Sequence, residues 1–191
     1  MRGIAIAAVV LFAVIALANT ASAQYTEGMT ETRIGIGVGV FHPIDSSLRD
    51  IESKWADIGI TYTVTKNENQ EQKSYLRFDW IADADSMTDT RMTPLTYNLV
   101  IRPNQNRFKS LYISGGLGVY PLRIKWQGID ASTTRFGCRI GAGVDLTSSS
   151  RLDLTYIWVD PWEDAVLVPW TGQNWGFSFS GVTLSYTAEA F

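Results

Sequence analysis

The sequence predicts an all-β fold, with eight antiparallel strands closed up-and-down into a transmembrane β-barrel. Three observations carry this. Apolar residues recur with period two through almost everything after Thr32. The segments that show it number eight, each of about 9 to 14 residues, and an even count of such strands suits an up-and-down barrel. The residues opposite the apolar face are glycines and charges of both signs, which suit a narrow lumen better than a wet outer wall.

The first 23 residues stand apart. Met1-Arg2 gives a positive start, Ile4 to Ala18 is apolar, and Ala21-Ser22-Ala23 supplies a small-x-small cleavage site. This is the pattern of a secretory signal peptide over 1–23, which leaves a barrel domain over 24–191. The apolar run falls short of the ~20 residues a spanning helix needs, and no later run is longer.

The first strand sets Ile34, Ile36, Val38 and Val40 against Gly35, Gly37 and Gly39. The second sets Ile58, Ile60, Tyr62 and Val64 against Asp57, Gly59, Thr61 and Thr63. The third alternates Leu76, Phe78 and Trp80 with Arg77 and Asp79, and the fourth Leu95, Tyr97, Leu99 and Ile101 with Thr96, Asn98, Val100 and Arg102. The fifth carries Ile113, Leu117 and Val119, then changes parity near Pro121, where Leu122, Ile124 and Trp126 take over. The sixth runs from Phe136 to Leu146 with Gly137, Arg139, Gly141, Gly143 and Asp145 on its other face. The seventh alternates Leu152, Leu154, Tyr156 and Trp158 with Asp153 and Thr155. The eighth opens with Trp175, Phe177 and Phe179 and switches parity to Val182, Leu184 and Tyr186, which suggests a bulge at Gly181. Polar turns at 66–71, 103–107 and 148–150 fall at one end, and longer loops at 42–54, 84–90, 127–133 and 160–173 at the other.

The charges on the non-apolar face predict a lumen ion network of Asp57, Arg77, Asp79, Arg102, Arg139, Asp145 and Asp153, since buried charges persist when paired. Trp55, Trp80, Trp126, Trp158 and Trp175 map to the long-loop end, and Tyr62, Tyr112 and Tyr186 towards the turn end. Two aromatic bands flanking an aliphatic stripe are what two membrane–water interfaces select. The competing architecture is a soluble lipocalin-like barrel, apolar inside, that binds an apolar or sugar ligand at a Trp-rich mouth.

Little in the sequence points to chemistry. Cys138 is the single cysteine, so no disulfide framework forms within the chain. With 19 acids against 16 bases the net charge is −3, which argues against a nucleic-acid partner. The lone His42 precedes Ser46 and Ser47, the ingredients of a lipid-modifying enzyme, but no catalytic spacing accompanies them and no catalysis is expected. Gly115–Gly118 and Gly141–Gly143 lie inside strands, outside the context of a nucleotide loop. Asp83, Asp85 and Asp89, and Asp160, Glu163 and Asp164, lack the spacing of a calcium loop. No cofactor and no metal are expected. The apolar Ala165–Val168 stretch in an outward loop suits packing at the interface.

Over Thr32–Phe191 the chain resembles the small eight-stranded outer-membrane barrel proteins grouped around the transmembrane domain of OmpA. The resemblance is carried by Arg33–Phe41 (RIGIGVGVF), by Ser114–Tyr120 (SGGLGVY) and by the aromatic Phe191. It implies an outer-membrane location, a structural or surface-interaction role, and a lumen filled by side chains. It also implies contact with outer-membrane lipid and lipopolysaccharide, a monomer, and recognition by the outer-membrane assembly machinery through the last strand and Phe191. Val182, Leu184 and Tyr186 are out of phase with Phe191, and Glu189 is in phase with it.

Overall fold

A computed structural model of the chain describes residues 30–51, 55–66, 72–83, 89–102, 110–126, 129–167 and 174–190. The expected signal peptide and Phe191 lie outside them. Strand β1 (Thr30–Pro43) is followed by the short helix α1 (Ser46–Ile51), then β2 (Trp55–Lys66), β3 (Gln72–Asp83), β4 (Arg91–Met92) and β5 (Leu95–Ile101). After these come β6 (Leu111–Trp126), β7 (Ile129–Thr147), β8 (Ser150–Val159), β9 (Trp162–Leu167), β10 (Asn174–Phe177) and β11 (Gly181–Ala190).

The sheet closes on itself. β1 pairs antiparallel with β2 on one side and with β11 on the other, and every stave between them pairs with its neighbours. β4 and β5 both lie between β3 and β6 and form one stave, interrupted at Thr93-Pro94. Proline has no N–H to give to a ladder. The break is bridged instead by Thr93 N–H to Pro121 O at 2.9 Å and by Asp79 N–H to Pro94 O at 3.0 Å. The result is an eight-stave antiparallel barrel, with β9 and β10 as a separate two-stranded hairpin near the loop end. Closure removes the edge that an open sheet would present.

Alternation along each stave separates two faces, and each face changes character once. Through the middle of the barrel the outward residues are aliphatic or aromatic: Ile36 is 63% exposed, Val38 54%, Ile60 47% and Leu154 56%. The inward residues at these levels are Gly, Thr, Ser, Asp and Arg. Towards the long-loop end the assignment exchanges. On β8 the inward row reads Arg151, Asp153, Thr155, Ile157, Val159, while the outward row reads Leu152, Leu154, Tyr156, Trp158, Asp160. On β6, Tyr120, Leu122 and Ile124 point inward while Arg123 and Lys125 face out. On β3 the inward residue after Asp79 is Ile81, and on β1 the one after Gly39 is Phe41.

This exchange corrects two expectations. The parity change near Pro121 is no slip of the strand, because β6 keeps an unbroken register with β7 from Leu111 to Trp126. Gly181 is likewise no bulge: Phe177, Phe179, Gly181 and Thr183 all face inward, and β11 pairs continuously with β1 and β8. What changes at both places is which face of the strand carries the apolar residues. The last barrel strand is therefore Gly181–Ala190, and Trp175 belongs to the β9–β10 hairpin, opposite Val166. The segment 127–133, expected as a loop, is mostly the continuation of the β6–β7 hairpin, and α1 occupies part of the first loop.

An arginine placed on the outward face should separate belt from extension. Leu154→Arg, in the belt, is expected to destabilise the barrel by about 2–4 kcal/mol, whereas Ser132→Arg, beyond it, should cost less than about 1 kcal/mol. Urea unfolding of the refolded chain in lipid vesicles, followed by tryptophan fluorescence, measures both.

Candidate functional site

The interior has two tiers. The loop-end tier is an apolar cluster of Phe41, Leu48, Trp55, Ile81, Met92, Tyr120, Leu122, Ile124, Ile157, Val159, Trp162, Phe177 and Phe179. Trp55 lies at its centre, edge-on to Phe41 (centroids 6.0 Å, 79°) and to Phe179 (6.3 Å, 85°). Most members come from the barrel wall, while α1 supplies Leu48, and β9 and β10 supply Trp162 and Phe177. The mouth is thus closed by a core of the kind found inside water-soluble proteins.

Beneath it is a charged tier. Arg77 on β3 donates to Asp57 on β2 (Nη2 to Oδ2, 3.2 Å), to Asp79 on its own strand, and to Thr187 on β11 (3.4 Å). Arg139 on β7 donates to the other oxygen of Asp79 at 3.1 Å. Two acids and two bases therefore form one chain across the lumen, each 4% exposed or less. Backbone room makes this possible. A Cβ on Gly59 would run into Asp79 Oδ1 and would lie 3.1 Å from Arg77 Nη2.

A second cluster lies towards the turn end, around Glu189 on the last strand. Its carboxylate accepts from Lys73 Nζ on β3 (3.0 and 3.1 Å), Arg151 Nη1 on β8 (3.0 Å) and Thr63 Oγ1 on β2 (3.1 Å), with Arg33 Nη1 on β1 at 4.0 Å. Arg151 also lies 3.4 Å from Asp153 and stacks over Tyr75 at 4.6 Å. The Tyr112 hydroxyl donates to Asp153, and its ring occupies the space that a side chain at Gly143 would fill. Arg102 pairs with Asp145 at 2.8 Å, where both remain part-exposed, and sits 5.7 Å from the Tyr112 ring.

Asp57, Arg77, Asp79, Arg102, Arg139, Asp145 and Asp153 are thus all brought to the inner face. Arg33, Lys73, Arg151 and Glu189 join them although the sequence reading did not count them among the lumen charges. Parity carried the missing signal. With Val182, Leu184 and Tyr186 outward, Glu189 falls on the inward row, as Arg151 does beside Asp153.

The aromatic assignments divide the same way. Trp80, Trp158 and Tyr186 are exposed on the outer wall, and Tyr62 is half-buried there. Trp55 and Tyr112 are not rim residues: Trp55 is 1% exposed within the apolar mouth, and Tyr112 is buried in the lumen. Both occupy inward positions of their strands, and parity overrides the preference of aromatic side chains for an interface. The side chains of Trp126 and Trp175 lie outside the described residues. His42 is exposed on the outer wall, opposite Val182 in register. Among the described residues no group of three or more His, Cys, Asp or Glu could hold a metal ion.

Beyond the belt the outer wall carries its own ion pairs. Arg123 bridges Asp130 (3.0 Å) and Asp89 (3.1 Å); Arg91 pairs with Asp89 at 3.1 Å and lies 5.0 Å over the Trp80 ring. The two hydrogen bonds from Arg123 hold the Asp130 carboxyl below the usual aspartate range.

Glu189→Ala should cost up to about 3 kcal/mol, because it leaves part-buried Lys73 without its acid and buried Arg151 with Asp153 alone. Asp145→Ala, at a part-exposed pair, should cost less than about 1 kcal/mol. Chemical unfolding in vesicles distinguishes the two. The Arg123–Asp130 clamp should hold above about pH 4, the ordinary aspartate value, and weaken as pH falls through the lowered folded-state value. Protection of the amides beside the clamp, taken relative to the intrinsic exchange rate at each pH, should therefore fall at low pH in the wild type and be low at every pH in Arg123→Ala.

No family model matches the sequence, and no curated protein matches it. Solved structures do match. The Yersinia pestis outer membrane protein Ail, a backbone structure in a phospholipid bilayer nanodisc, superposes with TM-score 0.50 at 13% identity, covering 84% of this chain and 100% of that one. Neisserial surface protein A gives TM-score 0.47 at 11% identity, over 84% and 98% of the two chains. The N-terminal β-barrel domain of Pseudomonas aeruginosa OprF gives 0.47 at 10%, over 85% and 100%. At such identities the likeness is one of fold, and the fold shared with Ail is that of a small, closed, eight-stranded barrel.

Proposed function

We propose that the chain is an integral outer-membrane β-barrel with a structural or surface-interaction role, a shut lumen and no catalysis. The observation that carries this reading is the outward belt of Ile36, Val38, Ile60, Leu117, Ile140 and Leu154, continuous around a barrel whose middle holds ion pairs. A wall of exposed aliphatic side chains is stable against hydrocarbon and unstable against water. The same feature weighs against a lipocalin-like soluble barrel, which would turn these residues to its axis. The occupied interior also leaves no wide aqueous path of the kind larger barrels enclose.

Within this reading the belt contacts outer-membrane lipid, and the charged outer wall beyond it faces lipopolysaccharide. The last strand, with Phe191, is what the assembly machinery engages, and the chain works as a monomer. The loops and the β9–β10 hairpin supply the surface for any interaction.

Cell fractionation tests the proposal. The protein should remain in the membrane fraction until detergent is added and should show a heat-shifted band on gels. Protease added to intact cells should cut in the long loops and spare the staves. Recovery as a soluble periplasmic protein would replace this reading with the lipocalin-like one.

A further inference from the structure

We propose that the open edge of the β6–β7 hairpin is a docking strand for an extended, uncharged polypeptide segment of another molecule. The proposal rests on the outer-membrane reading, and it gives the surface-interaction role of that reading a place and a partner class. β7 stays paired with β6 as far as Ile129, opposite Trp126, but with β8 only as far as Gly137, opposite Val159. One further bond joins that side, from Asp160 N–H to Phe136 O at 2.9 Å. The chain then leaves β7: Trp162 turns into the mouth, and β9 pairs with β10 in a sheet of its own. Phe136 directs its main-chain groups towards β8, so alternation directs those of Thr134, Ser132 and Asp130 the same way. Among the described residues no main-chain partner meets them there.

Natural sheets guard such an edge with a proline, a bulge or a forward charge. This edge has none of them. Ala131, Ser132, Thr133 and Thr134 are uncharged, and the register with β6 runs through them unbroken. The charges at either end are drawn off by partners in the same chain. Arg123, on the β6 side away from the edge, holds Asp130 at 3.0 and 3.1 Å, and Asp160 lies 3.4 Å from Arg135. The edge is also held still, because Leu122 and Ile124 on β6 are buried in the mouth cluster and Ala131 packs against it. A strand fixed in advance loses little freedom when a partner docks. Main-chain donors and acceptors that repeat every second residue fit another extended main chain, and Asp130, Ser132 and Thr134 offer it about six ladder bonds. With both end charges neutralised, nothing favours a charged segment. A second copy in the same membrane does not fit. Both copies would run this strand towards the same side, whereas an edge pairs with its own copy only when the strands run antiparallel.

Fluorescence polarisation tests this on the full chain refolded in detergent micelles, each variant first being checked for a heat-shifted band. The probe is a labelled decapeptide of alternating threonine and valine, and its control is the same peptide N-methylated at every residue. The wild type should bind the probe, and the control at least about tenfold more weakly. Ser132→Pro removes only a main-chain donor that faces the open side, so the barrel should still form while affinity for the probe falls at least about tenfold. Ser132→Ala keeps that donor and should bind like the wild type. Hydrogen exchange, read on the wild type alone, should slow at Asp130, Ser132 and Thr134 when the probe is added. A banded wild type that ignores the probe, equal binding of the methylated control, or full binding by Ser132→Pro would each overturn the proposal. So would slow exchange at Ser132 without peptide in a concentration-dependent dimer, which would assign the edge to a second copy. A chain that never gives the heat-shifted band defeats the membrane reading itself, whereas a banded chain that fails these tests defeats the docking strand alone.

Discussion

A β-strand keeps its alternation when it passes from hydrocarbon into water, but the two media on its faces trade places. On the outer-membrane reading proposed above, this constraint organises the molecule. Inside the belt, the outer row must be apolar and the inner row polar or minimal. Past the belt, the outer row must be wettable, and the inner row can pack as an ordinary core. On β8 the change is complete between Thr155 and Asp160, and on β6 between Val119 and Arg123. Trp80 and Trp158, each with one apolar and one hydrogen-bonding end, lie on the outer wall where the change occurs.

The staves were legible because period two is the simplest signal a sequence carries, and Ile34 to Val40 or Leu152 to Trp158 show it with few interruptions. The upper core was not, because a polarity exchange looks like a one-residue slip when hydrophobicity alone is followed. Phe179 to Val182 and Val119 to Leu122 are the two places where the patterns mimic each other. A real bulge lengthens one strand against its neighbour, and β6 and β11 show no such offset. In the lumen, charges next to obvious aliphatic partners were legible. Arg151 and Glu189 were hidden at strand ends, where a turn or a terminal aromatic dominates the reading.

Charges in the middle and hydrocarbon at the mouth solve different problems. Arg77 and Arg139 are positioned by acids from two staves, Asp57 on β2 and Asp79 on β3, so their pairing fixes how β2, β3 and β7 sit around the axis. Replacing such pairs by apolar groups would often be neutral in stability, which makes geometric specificity the better account of their presence. The mouth residues contribute through buried area and need only fit together.

The position of Glu189 bears on the order of events in folding. Lys73 is 116 residues away along the chain and Thr63 is 126, whereas Arg151 is 38. Contacts of such long range form late, because most of the chain must already be confined before they can be made. The carboxylate therefore meets its full set of cations only when the first and last strands come together, so joining the seam and neutralising the turn-end charges are a single event.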